Sequence, residues 1–254
     1  MLQVKRQDQI TFLLSEALDR IPGVVHGFST RRGERPDFSL GPANSPNPMV
    51  QINRARFVAA VGGIGWPIIK LKQVHSGIVV DIDDTSAASE AVEGDAAVTG
   101  LAGLMVGVQT ADCVPILIAH REGRAVAAIH AGWRGTAAGI TEAAVMRLGQ
   151  KFGFATKDFI AAIGPHIGPC CYEVGEEVAA ELSDQEAIVR SVGQEKPYLD
   201  LGLANRAQLL RAGVPEIQIE TSSLCTKCRA DLFHSYRRDG KRMGHMLSVI
   251  GIVP

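Results

Sequence analysis

The chain has 254 residues, of which 46% are hydrophobic and 21% charged, and its formal net charge is −1. This describes a globular chain long enough for a full core, and the near-neutral charge argues against a nucleic acid or an anionic membrane as the main partner. No apolar run reaches bilayer-spanning length, the start Met1-Leu2-Gln3-Val4-Lys5-Arg6 lacks the layout of a secretory signal, and five cysteines suit a reducing compartment better than a disulfide framework, so a cytoplasmic protein is expected.

Residues 9–30 read as two strands around the turn Ile21-Pro22-Gly23. The stretch 31–48 is rich in Pro, Asn, Ser and Gly and reads as a long loop, a type of segment that is often functional. A short helix is expected over 53–61, ending at Gly62-Gly63. Residues 68–83 are strand-like, with an interruption at Ser76-Gly77, and carry His75. Residues 84–94 read as a surface loop and 95–99 as a strand.

Three short apolar runs follow, 104–109, 114–119 and 125–129, and their polar or glycine borders mark them as buried strands. His120-Arg121-Glu122-Gly123-Arg124 joins the last two as a five-residue hairpin loop. If Ala119 pairs with Ala125, then Val114 lies opposite His130 and Cys113 opposite Ala131. That register puts thiol and imidazole at one end of a sheet with Cβ atoms roughly 5–8 Å apart. An Ala-rich amphipathic helix is expected from Thr136, near its cap, and the N–H groups at its start favour an anion together with Arg134.

Beyond it come a strand over 159–164, a Gly/Pro-punctuated loop to Tyr172, helices over 175–182 and 199–212, and strands over 217–221 and 246–252. Strands and helices are mixed, one hairpin is clear, and neither a repeat nor a linker divides the chain. The reading is a single α+β domain over 1–254, with mixed β-sheets and flanking helices.

Candidate chemistry lies in three places. His75, Cys113 and His130 form a plausible His2Cys metal set, because zinc accepts imidazole and thiolate and a fourth position stays open for water. Nothing local brings His75 to Cys113, so an ordinary buried histidine is the competing reading. Cys113 and His130 can also act without metal, as an activated nucleophile with Asp112 or another acid orienting the ring. Cys225-Thr226-Lys227-Cys228 resembles half of a zinc knuckle, and Cys170-Cys171 could supply four thiolates in all. Adjacent cysteines are awkward ligands for one ion, so a redox pair and, by default, unliganded thiols compete with that reading. Tyr236-Arg237-Arg238-Asp239 reads as a salt-bridged surface turn from which an arginine can face an anionic substrate.

Lys72-Gln73-Val74-His75, Thr110-Ala111-Asp112-Cys113, His130-Ala131-Gly132-Trp133-Arg134-Gly135, Ile163-Gly164-Pro165, Cys171-Tyr172-Glu173-Val174 and Ser235-Tyr236-Arg237-Arg238 occur in this order. In combination they resemble the YfiH-like family, purine nucleoside phosphorylases once labelled multicopper polyphenol oxidases (laccase domain). The resemblance runs from His26 to Ile252 and implies one α+β domain with a zinc ion held by His75, Cys113 and His130. It further implies phosphorolysis of adenosine, inosine and methylthioadenosine and deamination of adenosine, with a purine nucleoside and phosphate as small-molecule partners. Beside the three zinc residues in the catalytic set, Asp112 is expected to move protons or orient a ligand, and Arg31 and Arg134 to contact an anion.

Two departures bear on substrate identity. The loop from Phe38 to Pro48 is short and lacks the family's acids, and the usual Gly-Arg near the C-terminus is Gly244-His245. A multicopper oxidase needs a histidine-rich three-copper cluster, whereas this chain has seven histidines and no His-x-His pair. The alternatives are a hydrolase or editing factor acting on cell-wall peptide precursors, or a Cys-His hydrolase. A non-enzymatic zinc protein is disfavoured, because structural sites normally close with four protein ligands.

Overall fold

The computed structural model describes residues 2–34, 38–41, 47–84, 92–182, 185–190 and 195–254. Its first half runs β1 (Leu2–Gln7), β2 (Ile10–Ser15), α1 (Glu16–Asp19), β3 (Val24–Ser29), α2 (Pro48–Ala60), β4 (Ile68–Lys70), β5 (Val79–Asp81), β6 (Ala96–Thr99), β7 (Met105–Thr110), β8 (Val114–His120) and β9 (Val126–Ala131). The second half runs α3 (Trp133–Ala137), α4 (Ile140–Phe152), β10 (Phe159–Ile163), α5 (Glu176–Glu181), β11 (Ile188–Val189), β12 (Tyr198–Leu199), α6 (Leu201–Arg211), β13 (Ile219–Thr221), α7 (Tyr236–Asp239) and β14 (Met246–Ile252).

Strands β7, β8 and β9 are buried at every residue. A strand with two buried faces lies between layers, which explains why these segments read as continuous apolar runs. Among the described residues the first sheet has the order β1-β2-β3-β14-β7-β4 and the second β13-β10-β8-β9-β6-β5. Both are mixed: β4 and β7, β5 and β6, and β10 and β13 pair in parallel, the other neighbours antiparallel.

The period of two along each strand sorts its side chains between layers. Leu117 of β8 and Val126 and Ala128 of β9 pack with Phe28, Val106 and Ile250 of the first sheet. Their neighbours Ile116, Ile118, Ala127 and Ile129 pack instead with Ile140, Ala144 and Leu148 of α4 and Leu201 and Leu209 of α6. On the far side Phe12, Met105, Leu247 and Val249 cover Phe57 and Val58 of α2. The layers run α2, first sheet, second sheet, then α4 with α6, an α+β fold with mixed sheets and flanking helices.

Several boundaries differ from the sequence reading, and each difference has a local cause. The expected helix at 53–61 begins earlier, because Asn47 accepts from Met49 N and Pro48 occupies the first turn. The single helix expected from Thr136 is two helices, broken where Gly139 adopts φ 75°. Thr136 lies inside α3, whose N-cap is Gly132, not at a cap. The strand-like stretch 68–83 divides between the two sheets. Of the two loops expected at 31–48 and 84–94, residues 35–37, 42–46 and 85–91 lie outside the described residues.

The β8–β9 register is shifted by one residue from the expected one. Ala119 pairs with Val126, and Val114 with Ala131. His120 continues β8, its N–H donating to Ala125 O (2.9 Å), while Gly123 at φ 68° donates to His120 O (2.8 Å), so Ala125 belongs to the loop. A shift of one reverses which face every side chain occupies. In the expected register Cys113 and His130 would face opposite sides of the sheet. The observed one continues to Cys113 opposite Gly132, so Cys113 shares a face with His130.

Candidate active site

Two crossings between the sheets build the site. Residues 71–78 lead from β4 in the first sheet to β5 in the second and carry His75. Residues 111–113 lead from β7 to β8 and carry Asp112 and Cys113, while His130 stands next to the end of β9. The first crossing is tied to β7 by Gln73, whose Nε2 donates to Gln109 O while Gln109 N donates to its Oε1, both at 2.8 Å.

Asp95, fully buried, organises the centre. It accepts hydrogen bonds from Val74 N (3.3 Å), His75 N (3.1 Å), Ser76 N (2.7 Å) and Ser76 Oγ (2.7 Å). His75 has φ 59°, a left-handed conformation that costs a non-glycine residue on the order of 1–3 kcal/mol. These N–H donors aimed at Asp95 hold it there. The same carboxylate accepts from His130 Nδ1 (2.8 Å), which leaves His130 Nε2 to face Cys113. Burial pushes the Asp95 carboxyl up, but the hydrogen bonds from His130 and Ser76 outweigh it and lower it to about 2.

The three donor atoms of His75, Cys113 and His130 lie within 4.8 Å of one another. Cys113 Sγ is 3.9 Å from His75 Nε2, and the two imidazole rings meet edge to face with centroids 4.8 Å apart. Gly132 makes this approach possible: a Cβ there would stand 2.9 Å from His75 Cδ2 and 3.1 Å from Cys113 Sγ. Burial raises the Cys113 thiol, but the charge and hydrogen bond of His130, with smaller contributions from His75, lower it to about 6. Burial correspondingly lowers His130, and the Cys113 and Asp95 charges outweigh it and raise it to about 9. The opposed shifts favour transfer of the thiol proton to the ring, and a metal cation can take the place of that proton between sulfur and nitrogen. One sulfur and two ring nitrogens suit a borderline-soft ion, and a carboxylate behind one histidine is a common support for such a ligand.

These groups open onto a cavity of about 700 Å³, within the usual range for small-molecule sites. Asp112 and Arg134 also line it, so the structure brings together His75, Asp112, Cys113, His130 and Arg134. The Arg134 guanidinium lies over the Trp133 ring at 4.2 Å from its centroid. Asp112 is at φ 104°, and both its oxygens are occupied: Oδ1 accepts from Thr226 Oγ1 (2.6 Å) and Oδ2 from Arg237 N (2.7 Å). That geometry suits orientation of the Cys113 segment better than proton transfer.

Arg31 is not among the cavity-lining residues. Its guanidinium donates to Ala230 O (3.3 Å), and its backbone is paired with Leu232 and Phe38. The arginine that the turn at 236–239 does present to the cavity is Arg237, with its guanidinium 5.0 Å from the Tyr172 ring centroid. Arg238 makes the expected salt bridge with Asp239 (2.7 Å). Asp95 was not singled out by sequence reasoning. Its only signal was an acid opening a strand of buried small residues, Ala96-Ala97-Val98, where an uncompensated charge would be costly.

Among the described residues no helix is long and apolar enough to cross a membrane. The chain is 38% identical over 241 residues to a purine nucleoside phosphorylase of Deinococcus radiodurans, an alignment covering 90% of this chain and 89% of the relative. It is 42% identical over 177 residues to adenosine deaminase RL5 from an unknown prokaryotic organism, covering 67% of this chain and 66% of that one. The crystal structure of YlmD from Geobacillus stearothermophilus superposes with a TM-score of 0.87 and 31% identity, covering 99% of each chain. Residues 25–253 match the sequence model described as "Multi-copper polyphenol oxidoreductase laccase", and the chain belongs to that family.

Proposed function

We propose that this protein is a zinc-dependent purine nucleoside enzyme, which cleaves adenosine, inosine and methylthioadenosine with phosphate and deaminates adenosine. The observation that carries the reading is the convergence of His75, Cys113 and His130 within 4.8 Å beside a cavity of nucleoside size. Names of relatives agree with it, being purine nucleoside phosphorylase and, in one case, adenosine deaminase. Zinc held by these three residues supplies Lewis acidity and lowers the pKa of water from about 15.7 to about 7. Thiolate ligands persist in a reducing compartment, which suits a cytoplasmic enzyme.

The remaining residues have separate roles. Arg134 and Arg237, each laid on an aromatic ring, present guanidinium donors to phosphate. In phosphorolysis the bond from the sugar C1′ to the base breaks as a phosphate oxygen bonds C1′, and the departing base takes up a proton. Positive charge beside the phosphate holds it in line with that displacement. Thr110 Oγ1 and His245 Nδ1 are buried without a hydrogen-bond partner among the described residues, and both residues line the cavity. Both have unused hydrogen-bonding capacity at the cavity wall, and His245 stands where the resemblance led one to expect arginine. Asp112 positions Cys113.

A second reading has an observation in its favour: Cys113, lowered to about 6 beside His130, is also what a thiol nucleophile requires. Product analysis with metal-quantified protein separates the substrate classes. Adenosine, inosine, methylthioadenosine and a cell-wall peptide precursor are each incubated with and without phosphate. The expected result is free base and a pentose 1-phosphate only when phosphate is present, and inosine from adenosine in either case. Cleavage of the cell-wall precursor with no nucleoside turnover would transfer the assignment to the hydrolase.

A further inference from the structure

The other four cysteines of the chain come together at a second place. Beyond β10 and β13 two segments continue side by side: Ser222 N donates to Ile163 O (2.9 Å), Thr226 N donates to His166 O (2.9 Å), and His166 and Cys225 form a parallel bridge. On the first segment the chain turns tightly, with Cys171 N and Tyr172 N both donating to Gly168 O at 3.0 Å. Through this turn the adjacent Cys170 and Cys171 both approach the partner segment. Cys228 Sγ is 3.7 Å from Cys170 Sγ and 3.4 Å from Cys171 Sγ, and all four sulfurs lie within 4.8 Å of one another. The awkwardness expected of neighbouring cysteines is removed by the local backbone.

The spacing of the four sulfurs suits a shared cation. A tetrahedral zinc with Zn–S bonds of about 2.3 Å has edges of about 3.8 Å between sulfurs. The separations of 3.7 and 3.4 Å lie near that edge and far exceed the roughly 2.05 Å of a disulfide. Cys225 Sγ also accepts the Gly168 N–H (3.3 Å) from the facing segment.

We propose that Cys170, Cys171, Cys225 and Cys228 bind a second zinc ion as a closed tetrathiolate site, structural in role and separate from the His75–Cys113–His130 centre. Its position explains the role. Ile167 and Tyr172 on one segment, and Tyr236 and Arg237 beyond the other, line the cavity. Thr226, inside the Cys225–Cys228 turn, donates to Asp112 Oδ1, and Ile167 N donates to Asp112 O (2.9 Å). The ion therefore clamps the two segments that hold the Asp112 side of the cavity, and it takes no part in the chemistry.

Metal content of anaerobically purified full-length chains tests this. Wild type is expected to hold about two zinc ions per chain, and both Cys225→Ser/Cys228→Ser and His75→Ala/Cys113→Ala about one. Thermal stability is expected to fall in the Cys225/Cys228 variant, while turnover persists where the chain stays folded. Where that variant does not fold, His75→Ala/Cys113→Ala reconstituted with cobalt(II) decides, through the thiolate-to-metal charge-transfer and ligand-field bands of a tetrahedral tetrathiolate. One zinc lost with Cys225/Cys228 but kept in His75→Ala/Cys113→Ala would uphold this site and remove the other. At most one zinc in wild type, unchanged in the Cys225/Cys228 variant, would overturn the proposal. So would an absent cobalt–thiolate spectrum, or an intact mass showing a disulfide within the cluster.

Discussion

Cys113→Ala is expected to release the metal of the His75–Cys113–His130 centre and to lower turnover by more than about 100-fold, since losing a mere outer-shell partner costs about 10–100-fold. The expectation rests on the number of donors. Three donor residues converge there, on the crossing at 71–78, the crossing at 111–113 and β9. Two imidazoles alone make a weak site for zinc, and the substitution also leaves the His130 Nε2 side without the thiolate that raises its basicity. The check is zinc stoichiometry beside nucleoside turnover in chains shown to be folded. Lost turnover with unchanged zinc would make Cys113 a nucleophile and not a ligand.

The second large effect is expected at Asp95. Among the described residues its side-chain hydrogen-bond partners are all donors: Val74 N, His75 N, Ser76 N, Ser76 Oγ and His130 Nδ1. In Asp95→Asn the side-chain NH2 must point at one set of them, so a nearly isosteric change places donor against donor. A fall of about 10–100-fold in metal affinity or activity follows from a misoriented His130. Release of the strained His75 backbone adds to it, and each donor left unpaired in the interior costs about 1–3 kcal/mol. The sign of the pH dependence follows from the lowered carboxyl. Its folded value of about 2 lies below the ordinary 3.8, so the contribution to stability is full above the unfolded value. It is lost as pH falls through that interval, and Asp95→Asn should flatten the acid limb of melting temperature between about pH 4 and pH 2. A variant with unchanged metal affinity, turnover and acid limb would show that Asp95 does not organise the site.

The layered fold was legible where local pattern and burial agree. β7, β8, β9 and β14 appear within two residues of their expected bounds because strands buried on both faces read as plain apolar runs. The edge strand β1 was not legible. Its residues are almost all exposed and its sequence, Leu-Gln-Val-Lys-Arg-Gln, has no inward-facing apolar series. Nor could the sequence tell that 68–83 divides between two sheets. That division is a tertiary fact, and it is what carries His75 across to Cys113.

The site was legible in part for the same reason. Cys113 and His130 are joined by a hairpin, so their proximity followed from local geometry, although the register was one residue out. His75 was brought to them by the family resemblance alone. Asp95 was missed because its partners lie on the far side of a crossing, with no spacing rule to connect them. That the four cysteines meet was not legible, because a rule about adjacent cysteines takes no account of the turn at Gly168.

Alkylation of Cys113 tests the zinc centre most directly. Metal-loaded protein is treated with a thiol reagent before and after a chelator, and labelling at Cys113 is followed by peptide mass spectrometry. A thiolate engaged as a ligand reacts slowly until the metal leaves, and then rapidly, since the freed thiol is lowered to about 6 beside His130. Protection of Cys113 in loaded protein, relieved by the chelator, is the predicted result. Fast, chelator-independent labelling of Cys113 in fully metallated protein would contradict the zinc centre and put the thiol nucleophile in its place.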